Sequence, residues 1–420
     1  MRNNYKRLYA ALFCLVFLLV GCTPSTKPYL AEGRDKKWIN DIVYIEKALP
    51  KVHKNLYFNI SEKEFIGQLE DLKKKVPTFS DQEIDIELSK IIASIGDSHT
   101  GFSIGTETTY PIELYWFDEG IYITGTSKEY KELLDAKIIT LNAKKIEEVA
   151  NEIKPLLAGA NENWFKTQVI YYIPIPSVLQ YFGISNSDEI ELSVQLTTGE
   201  IKKIKMKSIK HEEYVPVDRS DSPKPLYKTH TNENYWYEYL KDEKILYISY
   251  NSCRQMREKP FEIFSKEVWD FAEKHEVEKL VLDIRNNRGG ISTILDPFIK
   301  KLKKSRFNEK DRLYVIIGRD TYSSAILNAL TLRKETNAYF VGENTGGKPN
   351  HYGEVKQLEL PNSKRKIRYS TKYFNWSKEN VDTIKPNMLI KETFENYKKA
   401  TDPVLEWIIK QKIFGDTPGK

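Results

Sequence analysis

Three short runs in the last third of the chain, residues 280–284, 313–317 and 338–341, are almost uninterrupted apolar sequence, with helix-patterned sequence between them. A strand that shows one face to water alternates apolar and polar residues, whereas a run apolar throughout must be covered on both faces. Several such runs alternating with helices predict a mostly parallel sheet between helical layers, an α/β core. A strand at 245–250, a helix face of Phe261, Phe264, Val268 and Phe271, and a helix at 324–332 extend the series. Open sheets of this kind bind ligands beyond the carboxyl ends of their strands, so chemistry is expected in the loops that follow residues 284, 317 and 341.

The first of these loops reads Arg285-Asn286-Asn287-Arg288-Gly289-Gly290. Paired glycines allow backbone conformations and close approaches that other residues block. Their amides can face an anionic oxygen, although a tight strand-to-helix turn would also call for them. The second loop, Asp320-Thr321-Tyr322-Ser323-Ser324-Ala325, runs straight into a helix. A serine there has an exposed hydroxyl, and the next N–H sits at the positive helix end; a simple serine cap would read the same way. The third loop, Gly342-Glu343-Asn344-Thr345-Gly346-Gly347-Lys348, lacks Walker spacing, which excludes a phosphate-binding P-loop.

Toward the N-terminus, Ser61-x-x-Glu64 and Ser80-x-x-Glu83 read as capping boxes ahead of helices carrying Phe65, Ile66, Leu69 and Leu72, then Ile84, Leu88, Ile91, Ile92 and Ile95. Gly96 stops the second helix and delivers Asp97-Ser98-His99-Thr100 to a loop. Strand patterning follows at 110–114, 120–124 and 136–141, then a helix at 146–157 and a hairpin, 190–196 with 200–206, around Thr198-Gly199. Residues 209–235 read as a polar linker in which His211 and His230 are solvated.

Arg2, Lys6 and Arg7 precede an apolar run from Leu8 to Gly21, the layout of a secretory signal and too short for a comfortable membrane span. It ends Leu19-Val20-Gly21-Cys22, which resembles the bacterial lipobox, where the cysteine is acylated and becomes the new N-terminus. The expectation is a lipid-anchored protein on the extracytoplasmic face of the cell membrane. Removing residues 1–21 lowers the net charge from +6 to +3, too little over this length to predict a nucleic-acid partner. Cys14 leaves with the signal and Cys22 would carry lipid, so Cys253 has no cysteine to pair with. The six histidines are scattered, and neither a metal nor another cofactor is expected.

In chain order, Asp97-Ser98-His99-Thr100, Leu282-Asp283-x-Arg285-Asn286-Asn287-x-Gly289-Gly290, Thr321-x-Ser323-Ser324-Ala325 and Gly342-Glu343-x-Thr345-Gly346-Gly347 form an ordered set. This set resembles the tail-specific, or C-terminal processing, serine peptidases, a family that includes the tricorn core protease. The resemblance spans most of the chain beyond the signal. It implies an α/β core of ClpP/crotonase type, preceded by a PDZ-like β-rich domain and an N-terminal helical domain. Residues 133–146 resemble the PDZ strand-and-helix segment, with Ala143 where glycine is usual. The expected division is a lipoprotein signal at 1–21, a tether at 22–35, helices at 36–105, the PDZ-like domain at 106–208, a linker at 209–235 and the peptidase core at 236–415.

By the same resemblance Ser323 is the nucleophile, and the Gly289 or Gly290 amide forms an oxyanion hole with the Ser324 amide. Two bases are offered: His99, from the Ser98-His99 dipeptide of the tricorn-like branch, and Lys348, at the lysine position of the tail-specific branch. His99 is favoured because imidazole titrates near neutrality, whereas a lysine must have its pKa lowered by burial. Asp382 or Glu379, just upstream of Ile384-Lys385-Pro386-Asn387 where the family has Pro-Asp, would orient the histidine. Ile326 stands where many relatives have glutamate. The expected function is a membrane-anchored serine endopeptidase that hydrolyses polypeptides through an acyl-enzyme. The alternative is an inactive peptide- or ligand-binding lipoprotein on the same scaffold, for which Ile326 and Asn387 argue. The export signal excludes an acyl-CoA enzyme.

Overall fold

The computed structural model describes residues 32–159, 161–219 and 222–413. The expected signal, Cys22 and most of the tether lie outside these residues. No helix among the described residues is long and apolar enough to cross a membrane.

The central sheet runs in the order Tyr235–Leu240, Ile245–Tyr250, Lys279–Asp283, Leu313–Ile317, Tyr339–Gly342, Met388–Leu389. Its first two strands form an antiparallel hairpin and every later pairing is parallel. Successive side chains point to opposite faces. Leu280, Leu282, Val315 and Phe340 pack with Phe264, Phe298 and Ala329 from three helices on one side. Val281, Tyr314, Ile316 and Val341 pack on the other side with Val404, Leu405 and Ile408 of the helix Pro403–Lys410. Both faces are covered, as the apolar runs require.

The acid within the first run, Asp283, is buried but well supplied with donors. It accepts from Arg285 Nε at 2.8 Å and from the Tyr247 hydroxyl at 2.5 Å. Arg285 reaches on to both carboxylate oxygens of Asp402, at 3.0 and 2.8 Å, and Asp402 caps the helix Pro403–Lys410. One guanidinium thus ties the last helix to the sheet. Asn387 exchanges two 2.8 Å hydrogen bonds with the Phe340 backbone, through its amide and its side-chain oxygen, and so seats the edge strand.

A second, antiparallel sheet joins Ile112–Phe117, Gly120–Thr126, Lys137–Leu141, Glu189–Gln195 and Ile201–Lys207 in that order, with the helix Ile146–Glu152 packed in its core. Asn142 and Ala143 form a tight turn with φ of 46° and 65°. Asn142 holds that turn by accepting from the Glu191 amide at 2.8 Å and donating to the Ile184 carbonyl at 3.0 Å. Between these strands lie two helices absent from the sequence reading, Glu162–Val169 and Pro176–Tyr181.

Helices Arg34–Val52, Glu62–Lys75 and Asp81–Ala93 form the third body. Both capping boxes are present, Ser61 with Glu64 and Ser80 with Glu83. Gly96 takes φ 82° just after the third helix. The core of these helices is completed from far along the chain by Leu360, Ile367 and Tyr369. These belong to a hairpin, His351–Glu359 with Lys366–Phe374, which pairs through its second strand with Gly101–Phe102. Much of its first strand is exposed, which left no alternation to read in the sequence. The hairpin carries His351, Arg368 and Ser370 to the loop that holds His99.

Candidate active site

Ser323 immediately precedes the helix Ser324–Glu335 and adopts φ 55°, ψ −123°. A non-glycine residue in such a region costs roughly 1–3 kcal/mol and persists only where its surroundings enforce it. Here Thr321 Oγ1 donates to the Ile284 carbonyl at 2.9 Å, the Tyr322 amide donates to the Asn287 carbonyl at 3.0 Å, and the Gly347 amide donates to the Thr321 carbonyl at 3.0 Å. The strained turn is bolted to both glycine-rich loops. Gly289, at φ 102°, faces it so closely that a Cβ there would lie 2.8 Å from Ser323 Cβ. A Cβ on Gly290, at φ 137°, would lie 2.3 Å from the Cys253 carbonyl oxygen.

The two glycine amides are not equivalent. Gly289 N donates to Asn287 Oδ1 at 2.8 Å, and Asn287 is anchored in turn by donating from Nδ2 to the Tyr250 carbonyl at 2.8 Å. The amides of Gly290 and Ser324 donate no hydrogen bond among the described residues. Both residues line the cleft that contains Ser323.

His99 lies in the turn after the third helix, which Asp97 organises from within. Asp97 accepts from the His99 amide at 2.9 Å, Thr100 Oγ1 at 2.6 Å and Ser370 Oγ at 2.6 Å, and lies 3.2 Å from His53 Nε2. Burial pushes its carboxyl up, but the hydrogen bonds from His53, Ser370 and Thr100 outweigh this and hold it at about 2. Tyr322 donates its hydroxyl proton to Ser98 Oγ at 2.6 Å, and its oxygen lies 3.0 Å from His99 Nδ1. With that proton spent on Ser98, the hydrogen-bond network assigns Nδ1–H as donor to Tyr322 and leaves the lone pair on Nε2. Nε2 is buried and has no hydrogen-bond partner among the described residues.

The aromatic surroundings fix the ring. His99 stacks on Tyr322 at 4.6 Å and on His351 at 5.3 Å, and Trp164 covers Tyr322 at 3.9 Å and 6°. Burial above all, then the neighbouring His351 and Arg368, drives the imidazole down to about 3 against the pull of Asp97. His99 is therefore a neutral acceptor at neutral pH. It shares a cleft of about 820 Å³ with Ser98, Tyr322, Ser323 and His351. No hydrogen bond among the described residues joins His99 to the Ser323 hydroxyl.

The remaining candidates lie elsewhere. Lys348 Nζ pairs at 2.8 Å with Asp382, whose side chain is 71% exposed, and neither residue lines the cleft. Glu379 is exposed on the same outer loop. The segment is turned outward because Asn161 Nδ2 holds the Asp382 carbonyl at 2.7 Å and Thr345 Oγ1 accepts from the Ile384 amide at 2.9 Å. The place expected for an acid beside His99 Nδ1 is taken by the Tyr322 hydroxyl. Ile326 is fully buried against Gly347, where a Cβ would come within 2.4 Å of Ile326 Cγ1. Tyr322, Trp164 and Asn287 were not singled out in the sequence. Tyr322 and Asn287 stood inside the motifs, but nothing marked which of their neighbours they would hold.

No family model and no curated protein matches the chain. Solved structures do. Mature CPAF complexed with lactacystin aligns with a TM-score of 0.62 over 89% of this chain and 97% of that chain, at 12% identity. Mature CPAF gives 0.62 over 89% and 96%, at 13% identity. The chain shares its fold with CPAF. Because nearly all of CPAF is covered, the likeness takes in the helical body and the β-rich sheet as well as the α/β core.

Proposed function

We propose that the chain is a serine endopeptidase held to the extracytoplasmic face of a membrane by a lipid on Cys22. The observation that carries the catalytic part is the convergence in one cleft of a strained Ser323, a buried His99 and two backbone amides, with His99 Nε2 and both amides lacking hydrogen-bond partners among the described residues. Ser323 Oγ attacks the peptide carbonyl while its proton passes to His99 Nε2. The charge that develops on the carbonyl oxygen is met by the Gly290 and Ser324 amides, which line the cleft and donate no hydrogen bond among the described residues. Collapse transfers the proton from His99 to the leaving amine and leaves an acyl-enzyme on Ser323, which water then hydrolyses by the reverse proton path. The ordered motifs shared with the tail-specific and tricorn-like peptidases support this reading, as does the fold held in common with CPAF. The sequence Leu19-Val20-Gly21-Cys22 supports the anchor, and the resemblance of residues 133–146 supports a PDZ-like role for the β-rich body. The test sets Ser323→Ala beside the parent chain with a fluorophosphonate probe and an unfolded protein substrate. Labelling and cleavage are expected only in the parent; equal signals would remove Ser323 from the role.

A second reading is favoured by one feature: no carboxylate among the described residues hydrogen-bonds the His99 ring, and its imidazole is held at about 3. On that reading the scaffold binds peptides without cutting them. Turnover abolished by either Ser323→Ala or His99→Ala rules it out.

A further inference from the structure

Four cationic side chains line the Ser323 cleft, Arg254, Arg288, Arg368 and Lys372, against a single carboxylate, Glu354. Two of them are already engaged. Arg288 pairs with Asp320 at 2.8 Å, and Lys372 lies 3.9 Å from Glu354. Arg254 and Arg368 are exposed and have no ion pair or side-chain hydrogen bond among the described residues.

These two stand on opposite walls. Arg254 follows Cys253, whose amide donates to the Gly289 carbonyl at 3.0 Å and whose carbonyl accepts from the Ile291 amide at 2.7 Å. It therefore marks the oxyanion side of the serine. Arg368 lies across from Gly101 in the hairpin sheet, two residues beyond His99, with its Nη2 within 3.5 Å of where a Gly101 Cβ would stand. Its charge acts on both the His99 ring and the Tyr322 hydroxyl, which sets it on the histidine side.

On an open surface an unpaired arginine contributes little. In a cleft with low-dielectric walls and one predominant sign, the field is focused on whatever enters. Guanidinium groups match carboxylates in shape and can hold them through two parallel bonds. We infer that this cleft selects polypeptide segments bearing carboxylates on both sides of the bond presented to Ser323, read by Arg254 on one wall and Arg368 on the other. The inference rests on the reading that the cleft takes polypeptides. Apolar positions between the charges would face Phe102, Leu157, Leu327 and Phe374, which line the same cleft. The carboxylates are Asp or Glu side chains or, at one end, the terminal carboxylate of the chain; the chemistry is the same.

The experiment uses the Ser323→Ala chain, so that binding is read without turnover. Fluorescein-labelled peptides of one apolar sequence carry either Glu or Gln on each side of the central bond, each as a free acid and as a C-terminal amide. The Glu peptides are expected to bind roughly three- to tenfold tighter by fluorescence anisotropy. That advantage should shrink at high salt and disappear in a chain that also carries Arg254→Gln and Arg368→Gln. A preference lost on Glu→Gln assigns the recognised groups to side chains, and one lost on amidation assigns one of them to the chain end. Equal binding of Glu and Gln peptides, no binding of either, or a preference that survives in the double-arginine variant overturns the inference. The peptide series needs no arginine variant, so misfolding cannot mask the answer. Selective binding without cleavage by the parent would sink the peptidase reading alone; cleavage indifferent to charge would sink the arginine reading alone.

Discussion

The Tyr322 hydroxyl lies 3.0 Å from His99 Nδ1 while donating its own proton to Ser98 at 2.6 Å. The residue that precedes Ser323 thereby fixes the tautomer of His99. In a Ser-His-Asp triad that task falls to a buried carboxylate, which also stabilises the imidazolium as it forms. A phenol oxygen orients the ring equally well but carries no charge. The ring is thus held without a charge at Nδ1, and burial above all leaves its protonated form strongly disfavoured.

Tyr322→Phe removes the acceptor for Nδ1–H and keeps the ring stacked between Trp164 and His99. Loss of one buried hydrogen bond of about 1–1.5 kcal/mol predicts a fall in kcat of roughly tenfold with KM little changed. The expected companion is mixed His99 tautomers in nitrogen-15 NMR. A kcat equal to that of the parent would show that Tyr322 does not orient the base.

Ser323→Gly and Ser323→Ala should both abolish activity, but they should differ in stability. Glycine adopts φ 55° freely, whereas alanine keeps the strain. The glycine variant is therefore expected to be more stable than the alanine variant by about 1 kcal/mol, read as a higher urea midpoint at unchanged m. Coincident midpoints would mean that the turn is not strained.

His99 titrates near 6.5 when unfolded and is held at about 3 in the fold. Between those values the unfolded chain binds the extra proton, so stability is fully present above about 6.5 and is lost as pH falls toward 3. The slope expected from this one group is about 1.4 kcal/mol per pH unit. His99→Gln should flatten the profile of unfolding free energy across that window. The acid limb of kcat/KM should likewise fall well below the pH at which an ordinary histidine protonates, and a limb centred near 6.5 would contradict the burial argument.

Lys348→Met breaks a surface ion pair with Asp382 and nothing in the cleft. Activity is expected to stay within about twofold of the parent, and stability to change by less than about 1 kcal/mol. A hundredfold loss of kcat would return Lys348 to the role of base.

Much of the architecture was legible in the chain. The apolar runs near 280, 313 and 338 could be buried only in a covered parallel sheet, and the two Ser-x-x-Glu boxes marked helix starts that the structure places at Glu62 and Asp81. The hairpin His351–Glu359 with Lys366–Phe374 was not legible. Its strands are stabilised by pairing and by a few anchors such as Ile367, and much of their surface meets water. The helix Glu162–Val169 was missed for a similar reason: its role is to set Trp164 on Tyr322, a contact across 158 residues of sequence that no local period encodes.

The sequence by itself determined the elements and the list of reactive side chains, because capping, periodicity and glycine conformations depend on neighbours a few residues away. The proposal of a lipid on Cys22 rests on the same local kind of information, the apolar run and the Leu19-Val20-Gly21-Cys22 that ends it. Only the tertiary structure decided which members of that list meet. It set Tyr322 rather than Asp382 beside His99, committed the Gly289 amide to Asn287 while sparing that of Gly290, and left Arg254 and Arg368 in the cleft lining without an ion pair among the described residues. Those outcomes turn on distances of an ångström or two between segments far apart in the chain, and packing sets such distances after the local rules have been satisfied.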